Sequence, residues 1–204
     1  MIRGGKIGSR FAGARFNTYE VNEYNEIAFD ACRAFAEIRY GGIILIGPVG
    51  IGKTHLLLSI ARAMSSEKAC EFNHESDRFE VKGEQFDVEF WPVLDLAAAL
   101  RRDVVDGDGK LVERVMNCDM LILDDLGREK HSDFLLQELQ RIIDYRYRDE
   151  RPIAVGTNLT RTELVQRYDE STVSRWVESC KILDVGGPDF RIEMSTRVDS
   201  AVAR

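Results

Sequence analysis

Little in this sequence points to a membrane, a metal cluster or a disulfide scaffold. Its 204 residues include 4 cysteines, 4 prolines and 2 tryptophans. Cys32, Cys70, Cys118 and Cys180 lie far apart, with no CxxC pair and no Cys/His cluster. That spacing argues against structural zinc and for reduced core thiols in a reducing compartment. No apolar run approaches the roughly 20 residues that a membrane span needs, and residues 1–16 do not read as a secretory signal. The expected location is the cytoplasm, with no membrane partner. Basic charge is also scarce: 28 Lys and Arg against 35 Asp and Glu give a formal net charge of -7. The bulk positive charge of a protein that coats duplex DNA is missing, although a local basic track is not excluded.

What is present suits a single globular domain with one core: 44% hydrophobic and 31% charged residues. Charge is segregated along the chain. Arg3, Lys6, Arg10 and Arg15 occupy the first sixteen residues without an acid, whereas acids outnumber bases between Glu67 and Glu89. A solvated tail and a solvated loop explain this as readily as a partner surface does.

Apolar periodicity predicts an irregular stretch up to Ala14, then a helix from Asn25 through Ile27, Ala28, Ala31, Phe35 and Ile38, ended by Gly41-Gly42. Ile43-Ile44-Leu45-Ile46 reads as a strand buried on both faces, followed by a helix over 53–64. Phe79 and Val81, then Phe86, Val88 and Phe90, alternate around Lys82-Gly83-Glu84-Gln85, which predicts a hairpin leading into a core strand. A helix through Leu96, Leu100 and Val104 should break at Asp106-Gly107-Asp108-Gly109. That turn lacks the alternating ligands and closing Glu of an EF-hand, so an acidic turn is expected there. Met120-Leu121-Ile122-Leu123 and Ile153-Ala154-Val155 are further buried strands, separated by an amphipathic helix over 132–147. One helix is expected over 162–180, then a short tail with alternating Ile182, Leu183 and Val185. Strands alternating with helices define an α/β class with a largely parallel sheet.

Between the first buried strand and its helix lies Gly47-Pro48-Val49-Gly50-Ile51-Gly52-Lys53-Thr54, which satisfies G-x-x-x-x-G-K-[ST] at every position. A chance match in a chain of this length has odds on the order of 1%. Glycines let backbone N–H groups converge on phosphate oxygens, and the helix N-terminus adds a favourable dipole. In such a loop Lys53 reaches the β- and γ-phosphates and the Thr54 hydroxyl ligates Mg²⁺. Asp124, ending the second buried strand, is the candidate to hold Mg²⁺, and Asp125 the candidate to orient or deprotonate the attacking water. Asn158, at the end of the third, can hydrogen-bond the γ-phosphate or the water, or serve as an ordinary turn residue.

The segments GPVGIGKTHLL (47–57), LILDDLG (121–127) and IAVGTNL (153–159) resemble the DnaC/DnaI/IstB group of AAA+ ATPases, relatives of the initiator DnaA. His55 and the Thr157-Asn158 pair are characteristic of that group. The likeness extends to Ser9-Arg10-Phe11, to 16–19 and to 142–151, and so spans most of the chain. It implies a P-loop NTPase fold: a three-layer α-β-α sandwich with a mostly parallel five-stranded sheet and a reduced or absent helical lid. It divides the chain into a basic arm (1–22) and an AAA+ domain (23–204) with an acidic, hairpin-bearing insertion (65–90). The implied cofactors are ATP and Mg²⁺, the nucleotide held by residues 47–54 with His55 and Arg191, the metal by Thr54 and Asp124. By the same resemblance Asn158 corresponds to sensor I, and Arg175 to the arginine finger that completes a neighbouring subunit's site beside Lys53 and Asp125. A surface salt bridge would also account for Arg175, and a structural role for Arg191. Phe11 and Phe16 are candidate walls of the adenine pocket or simply core residues.

Some features depart from the group. Asp125 stands where AAA+ proteins usually carry Glu, which predicts slow hydrolysis or binding with negligible turnover. Residues 65–85 form a longer and more acidic stretch than the group leads one to expect. Few residues follow Arg175 and few precede the core, so the chain is either a fragment or contacts its partner through the basic arm or the acidic insertion. By resemblance the expected function is loading a replicative DnaB-type helicase onto single-stranded DNA, with self-association into a ring, spiral or filament. Arg101, Arg102, Lys110 and Arg114 are candidates to track phosphates, or a solvated helix face. Two other functions stay open: an IstB-like transposition accessory ATPase acting on duplex DNA, and a small-molecule P-loop kinase.

Overall fold

A run such as Ile43-Ile44-Leu45-Ile46 can bury both of its faces only between two covering layers, and that is the arrangement the chain adopts. The computed structural model describes residues 2–66, 68–73, 78–106, 109–130 and 132–190. In chain order they form β1 (Ile2–Gly4), α1 (Glu26–Ile38), β2 (Gly42–Ile46), α2 (Lys53–Ser65), β3 (Lys68–Asn73), β4 (Arg78–Gln85), β5 (Val88–Pro92), α3 (Val93–Asp106), α4 (Lys110–Asn117), β6 (Met120–Leu126), α5 (Asp133–Arg148), β7 (Ile153–Thr157), α6 (Arg161–Tyr168), α7 (Glu170–Ser179) and β8 (Cys180–Asp184). Single 3₁₀ turns occur at Ser9–Phe11 and Phe16–Thr18.

Six strands pair in parallel in the order β1-β5-β6-β7-β2-β8. Successive side chains alternate between the layers. Ile43, Leu45, Ile122 and Ala154 pack with α1 and α2, through Cys32, Phe35, Leu56 and Ile60. Ile44, Ile46, Leu121, Leu123 and Val155 pack on the other side with α3, α4, α5 and α7, through Leu100, Val115, Leu139 and Trp176. Because every strand of this sheet runs the same way, the C-terminal ends share one edge. β2 lies between β7 and β8, so the chain departs to opposite sides around it, which is where open α/β sheets bind ligands.

The structure differs from the sequence expectations in several places. The sheet has six strands rather than five. The sixth is β1, from the stretch expected to be irregular; three residues carry no alternation, yet they pair with Val88, Glu89 and Phe90 of β5. The hairpin lies further N-terminal than expected. β3 pairs antiparallel with β4, and Lys82 to Gln85 extend β4 instead of forming a turn. An additional helix, α4, precedes β6, capped by Gly109 in a left-handed conformation. The single helix expected over 162–180 is two helices, broken at Asp169, whose φ of 66° no α-helix accommodates. Its carboxylate then caps α7 by accepting from Thr172 N–H at 2.9 Å. Gly107 and Asp108 of the acidic turn, Arg191 and the residues on which the lid expectation bears lie outside the described residues. Among the described residues no helix is long and apolar enough to cross a membrane, and no cluster of three potential metal ligands occurs. Cys32, Cys118 and Cys180 are buried and free.

Candidate functional site

Four chain segments converge at the C-terminal edge of the sheet: the loop after β2, the end of β6, the end of β7 and the stretch after β8. The loop between Ile46 and α2 is anchored from below by Ile51, which is fully buried, while Val49 is exposed at its tip. Gly50 has φ +86°, a backbone conformation that L side chains rarely adopt, and the Asp189 carboxylate packs against it where a Cβ would lie. Phe190 N–H donates to Gly50 O at 3.1 Å, so the chain beyond β8 straps the loop from above.

Lys53 opens α2 and is only 6% exposed. Its ammonium donates to Gly47 O at 2.6 Å, Pro48 O at 2.6 Å and Asn158 Oδ1 at 2.7 Å. The Thr54 hydroxyl donates to Asp124 Oδ2 at 2.8 Å. The two polar residues that follow the glycines thus reach the ends of β7 and β6. Gly156 on β7 makes room for this: a Cβ there would lie 2.8 Å from Leu57 and 3.0 Å from Asp124 Oδ1.

Asp124 is buried, and its pKa is pushed up to about 6. Burial is the main cause and the neighbouring Asp125 charge the second, opposed by the Thr54 hydroxyl, the Asp125 N–H and Lys53. A carboxylate raised in this way favours a cation beside it. Asp125 N–H donates to Asp124 Oδ1 at 3.0 Å. The backbone of Asp125 is left-handed, φ 57°, where the register of β6 with β7 slips between Leu123 and Leu126. Asp enters that conformation far more readily than most residues with a longer side chain, which gives a physical reason for Asp at this position. Arg128 Nη1 holds the Asp125 carboxylate at 2.8 Å.

These groups open onto a cavity of about 310 Å³ lined by Lys53, Thr54, His55, Asp125 and Asn158, with Phe11, Tyr19 and Phe190 among its apolar walls. His55 is held by the chain before α1: its Nε2 lies 3.0 Å from Arg15 O and 3.2 Å from Thr18 Oγ1, and its ring meets Tyr19 edge-on. A carbonyl only accepts, so Nε2 carries the hydrogen. Burial lowers the His55 pKa, against the Arg15 hydrogen bond, and the Arg62 charge lowers it further. Arg62 itself donates to Phe11 O at 2.9 Å and to Ala14 O. The basic arm is thus fixed on α2 as one wall of the cavity. Phe11 lines that wall; Phe16 packs edge-on against Phe29 instead.

Not every candidate residue joins the site. Arg175, on α7, bonds Asp144 Oδ1 of α5 at 2.7 Å and does not line the cavity of its own chain. Arg101 and Arg102 of α3 and Lys110 and Arg114 of α4 are all exposed, and Arg114 also pairs through Nε, at 2.8 Å, with Oε1 of the buried Glu89. Sequence reading missed Tyr19, Gly156 and Phe190. Only the glycine carried a signal, since a glycine inside a strand marks a close approach.

The IstB-like ATP binding protein family model matches residues 25–198. The phage-like element PBSX protein XkdC of Bacillus subtilis is 29% identical over 149 residues, which is 71% of this chain and 49% of that protein. The chromosomal replication initiator protein DnaA of Lactobacillus johnsonii is 24% identical over 88% of this chain and 37% of its own length. The chain therefore spans about half, or less, of the curated relatives it matches. Among solved structures, the DnaC helicase loader superposes with a TM-score of 0.73 at 26% identity, over 88% of this chain and 100% of that one. DnaI shares the fold, with a TM-score of 0.71 at 19% identity over 91% and 97% of the two chains.

Proposed function

Since the chain belongs to the IstB-like ATP-binding family, with the P-loop AAA+ fold of the DnaC and DnaI structures, we propose that it is an ATP-driven switch that loads a replicative helicase onto single-stranded DNA. The observation that carries the nucleotide part is the joining of Lys53, Asn158, Thr54 and Asp124 at one sheet edge, beside a cavity with apolar walls. The residues present fit both ATP and Mg²⁺. Lys53 has its three donors turned to two loop carbonyls and Asn158, contacts that phosphate oxygens can replace. Thr54 and Asp124 offer two oxygens side by side for a hard cation.

When bound, Mg²⁺ neutralises charge on the β- and γ-phosphates. Lys53 would bind the same phosphates, Asn158 would orient the attacking water, and Asp125 would take its proton. Phe11, Tyr19 and Phe190 would exclude solvent from the base. Arg175 would leave Asp144 to reach the nucleotide of a neighbouring copy, so the site would work fully only in an assembly. A finger supplied in trans is worth about 10³–10⁵ in rate.

The loading role is supported by the likeness to the DnaC helicase loader over the whole of that chain. Arg101, Arg102, Lys110 and Arg114, all exposed on α3 and α4, suit a phosphate backbone. The matching family is itself IstB-like, which keeps a second reading open: an accessory ATPase that assembles on duplex DNA and recruits a transposase. Co-elution with a DnaB-type helicase, together with fluorescence anisotropy on single-stranded and duplex DNA, separates the two. Helicase association with a preference for single strands is the expected result. Cooperative duplex binding without helicase association would replace loading by the transposition reading.

A further inference from the structure

The loop after β6 carries a buried charge that the chemistry above does not use. Glu129 is 4% exposed. Its carboxylate accepts from Gly127 N–H at 2.8 Å, from Arg167 Nε at 2.9 Å and from the Tyr168 hydroxyl. Arg167 also donates, through Nη2, to the Glu129 main-chain oxygen. Burial, then the Glu129 charge, holds the Tyr168 hydroxyl in its protonated, donating form.

Both partners lie at the end of α6, and the Tyr168 ring meets Trp176 of α7 edge-on at 5.7 Å. Trp176 is the neighbour of Arg175. On the other flank the loop is tied to β7, where the Thr157 hydroxyl donates to Leu126 O at 2.7 Å and Leu159 packs over Gly127. One short segment therefore touches the carboxylate of Asp125 at its start and the α6–α7 pair at its end. Burying a carboxylate is unfavourable unless it is paired and its lone pairs are taken, and the directional bonds that do so hold one arrangement where an apolar contact can slide.

We infer that Glu129 is a positioning residue that clips the end of the Asp125-bearing strand β6, through the loop that follows it, to the α6–α7 pair, so that Asp125 and the helix carrying Arg175 shift together when nucleotide binds. The inference rests on reading Asp125 as the acid that faces the nucleotide. Its physical content is a chain of direct contacts. Asp125 precedes Gly127, whose N–H is held by Glu129. Glu129 is held by Arg167 and Tyr168, and Tyr168 packs on α7. A displacement of the strand end by a bound phosphate group would be passed along these contacts.

Hydrogen exchange with and without a non-hydrolysable ATP analogue and Mg²⁺ tests this on the full chain. In the wild type the analogue should slow exchange in residues 161–179 by about threefold or more. Glu129→Gln keeps the shape but loses the charge; it should bind the analogue within about twofold of wild type, with no exchange response in 161–179. Its turnover should fall about tenfold at unchanged KM, the pattern of a lost transition-state contact and not of a lost binding site. Tyr168→Phe removes one donor to Glu129 without removing charge and should shift both readouts in the same direction by less. The inference is overturned if either variant keeps the wild-type exchange response, or if turnover and KM of the folded Glu129→Gln protein equal those of the wild type. A wild type that fails to bind the analogue, or an Asp125→Asn protein with full turnover, would instead bring down the reading on which the inference stands.

Discussion

Two cations stand at opposite ends of the same sheet, each surrounded by main-chain carbonyls, and they serve different ends. Lys53, at the C-terminal end of β2, donates to Gly47 and Pro48 and to one side chain, at the edge of a cavity of about 310 Å³. Arg146, near the N-terminal ends of β6 and β7, donates to the carbonyls of Val115, Met116, Cys118, Asp119 and Pro152. It lines a larger cavity, about 430 Å³, yet is itself only 1% exposed. Arg146 is encased: its partners are the last turn of α4 and the chain entering two strands, all of which would have to move to release it. The partners of Lys53 sit on a glycine-bearing loop and a turn, and a ligand's oxygens can take their place. On the proposed function, cavity size does not mark the functional end of this molecule; a cation whose partners can be exchanged does.

Substituting each cation sharpens that contrast. Lys53→Ala should lower kcat/KM for ATP by about 10²–10³, or about 3–4 kcal/mol of transition-state stabilisation. Its urea midpoint should move little, since Pro48 is exposed and Gly47 and Asn158 are half-buried, so water can reach the freed groups; a large loss of stability would blur the distinction. Arg146→Ala should do the reverse. Several buried carbonyls lose their donor together, and the fold should lose about 3 kcal/mol or more, read as a lower urea midpoint at constant m. ATP affinity per folded molecule should stay at the wild-type level. A loss of nucleotide binding in this variant at low temperature, with the fold intact, would mean that the second cavity communicates with the first.

Much of this contrast is visible in the residues themselves, but not all of it. β2, β6 and β7 are legible because strands buried on both faces are written as unbroken apolar runs, and the glycine loop after β2 because its glycines and Lys53 obey a fixed spacing. The proposed site at that end of the sheet follows from those alone. β1 is illegible for the opposite reason: three residues at a sheet edge, one of them Arg3, show no pattern, and the strand is held by its pairing with β5 and by the Arg3 contact to Glu89. α4 did carry a signal, in Leu111, Val112, Val115 and Met116, all buried on one face, but eight residues beside an acidic turn are too few to stand out. The break between α6 and α7 contains neither Gly nor Pro; its trace is the capping of Thr172 by Asp169. Arg146 reads in sequence as one more basic residue on an amphipathic helix, because nothing local indicates that the carbonyls of the stretch 115–119 and of Pro152 will meet it.

The smallest effect expected is at the rim of the second cavity. Tyr147→Phe removes an exposed hydrogen bond to Glu178 at 2.8 Å. Stability should change by less than about 0.5 kcal/mol, and ATP turnover should not change. A substantial drop in turnover would give that end of the sheet a role in the reaction and break the comparison.

The central claim is that the site is completed between copies, with Lys53, Asp125 and Asn158 on one subunit and Arg175 on the next. A mixing experiment reaches it most directly: ATP turnover of Asp125→Asn, of Arg175→Ala and of an equimolar mixture, each at equal total concentration with single-stranded DNA. The account predicts that each variant alone is slow and that the mixture recovers activity, because an Arg175→Ala subunit with its intact Asp125 can receive Arg175 from its Asp125→Asn neighbour. Full activity of Arg175→Ala by itself, or a mixture no faster than the mean of its components, would contradict it.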